Sequence, residues 1–311
     1  MEITQSTCNG LSILQMKNEF LELEIAPEIG GRILSLRDIQ TGYQFLWKNP
    51  NLKLEKLPAG SEYDPNFYGG IDELLPNDMP EEVNGVHAPD HGELWTQTLQ
   101  HTIMPDGVLL EGTLPLSGLT YRREISFCSD RPGIALKYRI GNPTGERKVF
   151  LWKFHAAMNL MPGDEILCPA RTAIVADPQW SKWSDSAPFP WPRIQNQRAD
   201  IIPPADGSMD FLYLYDLEEG MMGWRRPSRN LAFVYRFDPA ILPYCWYFAS
   251  YGGFFSHYTG VLEPCTAMPI SVNDSAKLGQ CSALEPGQSL ETTVFIYAGA
   301  SDALGLNELE G

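Results

Sequence analysis

The sequence predicts an all-β fold: a large antiparallel β-sandwich with few short helices. Three observations carry this expectation. Apolar residues recur with a period of two in many short runs, the pattern of half-buried strands. Helical periodicity is nearly absent over any longer window. Gly-, Pro- and Asn-containing turns punctuate the runs, as in sandwiches built from many short strands.

Taken in order, Leu21, Leu23 and Ile25 alternate with Glu22 and Glu24. Pro27 through Gly31 then form a turn before Ile33-Leu34-Ser35-Leu36. Thr41-Gly42 and Pro105-Asp106-Gly107 are further turns. Ile134, Leu136, Tyr138 and Ile140 alternate with Ala135, Lys137 and Arg139, which describes a strand with one wet face. After the Asn142-Pro143 turn, strands are expected at Val149 to His155, Leu231 to Phe237, Tyr244 to Tyr251 and, past the Pro286-Gly287 turn, Thr292 to Tyr297. Two stretches, 49–89 and 161–208, resist a strand reading; the second holds Trp180, Trp183 and Trp191 among Pro188, Pro190 and Pro192. Loops of that length in a compact domain are usually walls or lids of a site. With no internal repeat, low-complexity segment or linker, a single domain spanning residues 1–311 is expected.

The chain is 43% hydrophobic, enough for a sizeable core. Lys and Arg number 23 against 39 Asp and Glu, a formal net charge of -16. A surface of that sign repels phosphate backbones and anionic bilayers, so neither nucleic acid nor membrane is an expected partner. Met1-Glu2-Ile3-Thr4-Gln5 has neither a basic nor an apolar character, and no apolar run approaches the length of a membrane span. Six scattered cysteines without a C-x-x-C pair are expected to be reduced thiols. These features predict a cytoplasmic location, as a monomer or homodimer.

Three points carry chemistry. In Pro89-Asp90-His91-Gly92-Glu93-Leu94-Trp95, a histidine stands beside two carboxylates that could orient its ring. Gly92 suggests a tight bend or a close backbone approach. His87, four residues before His91, raises the question of a metal, but no ligand spacing supports one and none is expected. In Phe150-Leu151-Trp152-Lys153-Phe154-His155, alternation sends Lys153 and His155 out of the same face, opposite the aromatic residues. Glu263 ends an apolar run before Pro264, where partial desolvation would raise its pKa towards that of a working base. Lys153 on the same face as His155 suggests either an anionic group on the ligand that offsets it or an ion pair with Asp72, Glu93 or another carboxylate. No nucleophile elbow, Walker loop or dinucleotide fingerprint is present.

Together these segments resemble the aldose 1-epimerase (galactose mutarotase-like) superfamily. Gly30-Gly31-Arg32-Ile33-Leu34-Ser35-Leu36 resembles its N-terminal glycine turn and strand, and Gly69-Gly70-Ile71-Asp72-Glu73-Leu74-Leu75-Pro76 the segment before its first histidine. His91-Gly92-Glu93-Leu94-Trp95 resembles the first-histidine motif, and Phe150 to His155 with Pro162-Gly163 the second-histidine strand. Leu262-Glu263-Pro264 and Leu284-Glu285-Pro286-Gly287 resemble the catalytic glutamate and the turn before the last strand. The resemblance spans about Pro27 to Tyr297.

It implies a β-sandwich with an open sugar cleft and a small-molecule sugar as partner. Glu263 would be general base on the anomeric hydroxyl, His155 general acid on the ring oxygen, and His91 a third catalytic group near that oxygen. Arg32, Asp72, Glu93, Trp95, Lys153 and Trp246 are the expected substrate-binding residues, with Asp210 as the alternative to Asp72 for gripping hydroxyls. The implied ring opening needs no cofactor. Leu94 and Trp95 stand where galactose mutarotases carry an arginine, and Ala156-Ala157-Met158-Asn159-Leu160 only loosely matches their Phe-Asn-Leu-like run. The chain therefore resembles a divergent branch. Non-catalytic sugar binding, and a carbohydrate lyase or hydrolase on the same sandwich, remain open alternatives.

Overall fold

The computed structural model describes residues 1–305. The last six positions of the expected 1–311 domain lie outside the described residues. The strands form two large antiparallel sheets. The larger has eleven strands, in the order Glu2–Cys8, Leu11–Lys17, Leu21–Ala26, Arg32–Asp38, Ile71–Leu74, Lys153–Met158, Tyr258–Cys265, Tyr244–Tyr251, Met209–Leu217, Ala170–Val175 and Phe189–Pro190. The second has eight, with Ser289–Ala300, Gly133–Gly141 and Thr120–Phe127 at its centre. Helix is confined to one short α-helix, Val272–Lys277, and a few 3₁₀ turns among the described residues. No helix among them is long and apolar enough to cross a membrane.

The period-two alternation does what the sequence suggests. Leu21, Leu23 and Ile25 are fully buried between the sheets, as are Ile134, Leu136 and Ile140, while Lys137 and Arg139 face water. Inward residues of both sheets form one continuous core that includes Ile33, Ile71, Phe154 and Leu262 from the larger and Leu110, Ile125 and Val294 from the smaller. In its middle sits a polar knot. Glu73 pairs with Arg123 at 2.5 Å and accepts hydrogen bonds from Tyr121 (2.9 Å), Tyr138 (2.8 Å) and the Trp152 indole N–H (2.9 Å). A charge so deeply buried persists only because it is paired and hydrogen-bonded, and the knot ties the two sheets at one register.

Two expectations are corrected. The stretches 49–89 and 161–208 are not free of strands. The first contributes Ile71–Leu74 to the centre of the large sheet and a hairpin of Glu81–Val83 with Val86–Ala88. The second contributes Glu165–Leu167, Ala170–Val175 and Phe189–Pro190. Ile71–Leu74 is buried on both faces and spends its two charges on opposite sides, so no alternation marks it. The second correction is to the expected strand from Val149 to His155, which is two strands. Lys148–Phe150 pairs with Ser282–Leu284, and Lys153–Met158 joins the large sheet. Between them Leu151 N–H donates to Pro76 and Trp152 N–H to the Thr266 hydroxyl, so the break leaves neither amide unpaired.

Candidate active site

The site forms on the outer face of the large sheet, across five neighbouring strands. Alternation in Ile71–Leu74 turns Glu73 into the core knot and Asp72 outward. The adjacent strand pairs His155 with Asp72 and Lys153 with Leu74, so Lys153 and His155 share the outward face while Phe154 enters the core. In the next strand Lys153 opposes Cys265 and Ala157 opposes Val261, a register that sets Glu263 opposite His155. Trp246 then pairs with Glu263 and Phe248 with Val261, and beyond them Tyr213 pairs with Trp246 and Phe211 with Phe248. Residues from distant parts of the chain reach one patch because antiparallel register carries the same face from strand to strand.

His91 comes from outside the sheet. It lies in a turn with φ +57°, followed by Gly92 at φ +75°. A Cβ on Gly92 would stand 2.5 Å from the Leu75 carbonyl oxygen, so the close approach expected there is real and only glycine fits. A left-handed histidine is uncommon backbone. His91 Nδ1 is 2.8 Å from Asp90 Oδ1, whose other oxygen accepts from Tyr63 N–H at 2.7 Å. Burial alone would lower the imidazole pKa, but Asp78 and Asp90 outweigh it and hold it above the usual 6.5. Asp78 and Asp90 thus stabilise the imidazolium relative to a free histidine, and Nδ1–H donates to Asp90.

His155 is the opposite case. Burial, then the charges of Lys153, His91 and Arg32, push its pKa well below 6.5, so the ring is neutral. Its tautomer follows from hydrogen-bond logic. Arg32 pairs with Asp72 at 2.5 Å, and the Tyr63 hydroxyl donates to Asp72 at 2.8 Å. The same hydroxyl lies 3.0 Å from His155 Nδ1 and has only its lone pairs left to offer. Nδ1 must carry the proton, which leaves Nε2 as an acceptor, 3.7 Å from Glu263 Oε1. A neutral ring with Nε2 unprotonated is not set to deliver a proton, the role that the resemblance implied for His155.

Glu263 is almost fully buried, and burial raises its pKa from 4.5 to about 7 even against the lowering effect of Lys153. Lys153 lies between two carboxylates, paired with Glu263 and with Asp78 at 2.6 Å. Its Nζ also stands 4.3 Å above the Trp246 ring. Burial disfavours the ammonium, but Asp78 and Glu263 keep its pKa above the ordinary value. The isolated cation behind the expectation of an anionic sugar is thus already compensated.

A cavity of about 230 Å³ opens over Glu263, His155, His91 and Lys153. Arg32, Asp72, Glu93, Trp95 and Trp246 are not among its lining residues. Arg32, Asp72, Trp95 and Trp246 support groups that do line it, whereas Glu93 does not. Arg32 and Asp72 anchor Tyr63, and Trp246 underlies Lys153 while donating its N–H to Ala267 at 2.9 Å. Trp95 donates to the Asp90 carbonyl at 3.3 Å, and Glu93 accepts from Leu116 and Ser117 N–H at 2.6 and 2.9 Å. Asp210, the alternative to Asp72, is buried and paired with Lys182 at 2.9 Å, and it does not line the cavity either. His87 is exposed on the Val86–Ala88 strand, and among the described residues no group of three His, Cys, Asp or Glu side chains is arranged to hold a metal ion.

Sequence reasoning missed Tyr63, Asp64 and Asp78, and it did not assemble the aromatic residues Phe211, Phe248 and Phe254 into a wall. Asp78 lies two residues past the quoted Gly69 to Pro76 segment, so a longer window would have included it. Phe211 and Phe248 were legible as outward positions of alternating strands. Nothing local distinguishes Tyr63.

Residues 2–187 match the family described as a domain of unknown function (DUF5107). No curated protein matches the sequence. Among solved structures, a candidate aldose 1-epimerase from Klebsiella pneumoniae superposes with a TM-score of 0.74 at 14% identity, over 99% of this chain and 88% of its own. A galactose mutarotase-like protein from Clostridium acetobutylicum gives 0.70 at 16% identity, over 96% of this chain and 98% of its own. A candidate aldose 1-epimerase from Escherichia coli K12 gives 0.69 at 17% identity, over 94% and 100%. The chain belongs to the DUF5107 family and carries the galactose mutarotase-like sandwich.

Proposed function

We propose that the protein is a mutarotase-type isomerase that interconverts the anomers of a small reducing sugar. The observation that carries this reading is a carboxylate and an imidazole, both capable of proton transfer, facing one cavity. Glu263 has a pKa of about 7, and His91 is held above the usual histidine value. Near neutrality one can accept a proton while the other can donate, the condition general acid–base catalysis needs.

In the proposed reaction, the Glu263 carboxylate takes the proton of the anomeric hydroxyl. The C1–O5 electrons move to O5, C1=O1 forms, and His91 delivers its Nε2 proton to O5. Rotation about C1–C2 and the reverse transfers close the ring on the other face and restore both groups. Neutral His155 accepts a hydrogen bond from a sugar hydroxyl at Nε2. Lys153 keeps Glu263 from rising further in pKa, so an ionised fraction persists at neutral pH. This exchanges the roles that the sequence resemblance implied for the two histidines. Exchange NMR on a panel of aldoses tests the proposal: catalysed α–β exchange supports it, and no exchange above background on any of them contradicts it.

A further inference from the structure

The cavity has two halves of different chemistry, and only one serves the proposed reaction. Away from Glu263 and the histidines, Phe211, Phe248, Phe254 and Trp180 form a continuous row of rings. Neighbouring centroids in that row are 5.9, 5.3 and 5.8 Å apart. The row passes near the base at its second ring, because Phe248 pairs with Val261, two residues before Glu263. Ile270 and Met79 line the same space. At the mouth Trp180 is 40% and Met79 37% exposed. Large apolar side chains left open around a pocket mark a surface that a ligand covers.

We propose that this half takes an aryl or alkyl group carried by the sugar at a carbon other than C1. The proposal rests on the mutarotase reading for the sugar in the other half. A row of four rings is longer than one pyranose, and its only hydrogen-bonding atom is the Trp180 indole N–H. Sugar hydroxyls placed against it would lose their water without gaining partners. An apolar substituent loses nothing there and removes its own surface from water as well as that of the wall. The substituent cannot sit on the anomeric oxygen, because ring opening needs a free hemiacetal hydroxyl.

The test uses the full chain and two probe pairs: glucose with 6-O-benzylglucose, and galactose with 6-O-benzylgalactose. Calorimetry reads binding and exchange NMR reads anomer interconversion. Burying a phenyl group should tighten binding by roughly ten- to a hundredfold for at least one pair. Trp180→Ala, a change at a partly exposed position, should erase much of that gain. The methyl glycoside of the benzyl sugar cannot mutarotate, so its binding is read without turnover. No benzyl gain in either pair, or a gain that survives Trp180→Ala intact, overturns the proposal. Exchange on the plain sugars with no benzyl gain overturns the wall and leaves the chemistry standing. A Trp180-dependent gain without exchange on any sugar supports the wall and overturns the mutarotase reading.

Discussion

Tyr63 touches both site histidines: its hydroxyl is 3.0 Å from His155 Nδ1, and its ring stacks on that of His91 at 4.0 Å, nearly parallel at 5°. One side chain thereby sets the tautomer of one imidazole and the plane of the other. Asp72 and Arg32 hold it in turn. Tyr63→Phe keeps the stack and removes the oxygen. His155 Nδ1–H then has no acceptor, and the other tautomer, with Nε2 as donor, becomes competitive. The expected outcome is a fall in kcat of roughly ten- to a hundredfold, the equivalent of about 1–3 kcal/mol for a buried group left unpaired. A variant whose kcat and pH profile match the wild type removes Tyr63 from its positioning role.

The pH dependence follows from opposite requirements. Glu263 must be ionised, so kcat/KM rises as pH passes through about 7. His91 must be protonated, so the rate falls again above its raised pKa. The profile is a bell with macroscopic limbs that belong to the coupled set. Lys153 lowers the Glu263 pKa, so Lys153→Met should move the rising limb to higher pH. Kinetics across pH 5 to 10 on both proteins check this; an unmoved limb assigns it to another group.

Charge in the cavity disfavours anionic sugars. Four carboxylates line it, from Asp64, Asp78, Asp90 and Glu263, against the cations Lys153 and His91. Asp78 and Glu263 already pair with Lys153, and Asp90 with His91. Burial, then the neighbouring Asp90 and Asp78 charges, raise the Asp64 pKa. A hexose phosphate or uronic acid should bind at least tenfold more weakly than its neutral parent, and added salt should narrow the gap. Calorimetry on matched pairs reads this directly, and tighter binding of the anion would restore the expectation first drawn from Lys153.

The core knot predicts a stability effect without a direct catalytic one. Glu73→Leu leaves Arg123 buried without its carboxylate and strips three other donors of their acceptor. Loss of one partner of a buried ion pair costs about 3–5 kcal/mol. Chemical denaturation of the variant should show that loss; an unchanged midpoint would mean that the knot is not what fixes the two sheets.

Much of this was legible in the sequence, for identifiable reasons. Alternation located strands such as Leu21–Ala26 and Gly133–Gly141 and the outward face shared by Lys153 and His155, because side-chain direction in a strand is fixed by period two. Glu263 at the end of an apolar run was recognisable as a desolvated carboxylate. Ile71–Leu74 was hidden because a strand buried on both faces has no alternation, and its two charges find their ion-pair partners forty or more residues away. The histidine protonation states were hidden for the same reason. The identity of His155 says nothing of the Lys153, Arg32 and Tyr63 groups that surround it once folded.

The central claim is that Glu263 exchanges a proton with the anomeric hydroxyl. The most direct measurement is the anomer exchange rate of Glu263→Gln beside the wild type, by exchange NMR at neutral pH on a sugar the wild type turns over. The amide keeps the shape and a hydrogen bond to the sugar but cannot accept the proton. The account predicts a rate reduced by about 10²-fold or more, with binding changed far less. Exchange at near wild-type rate in that variant would contradict it.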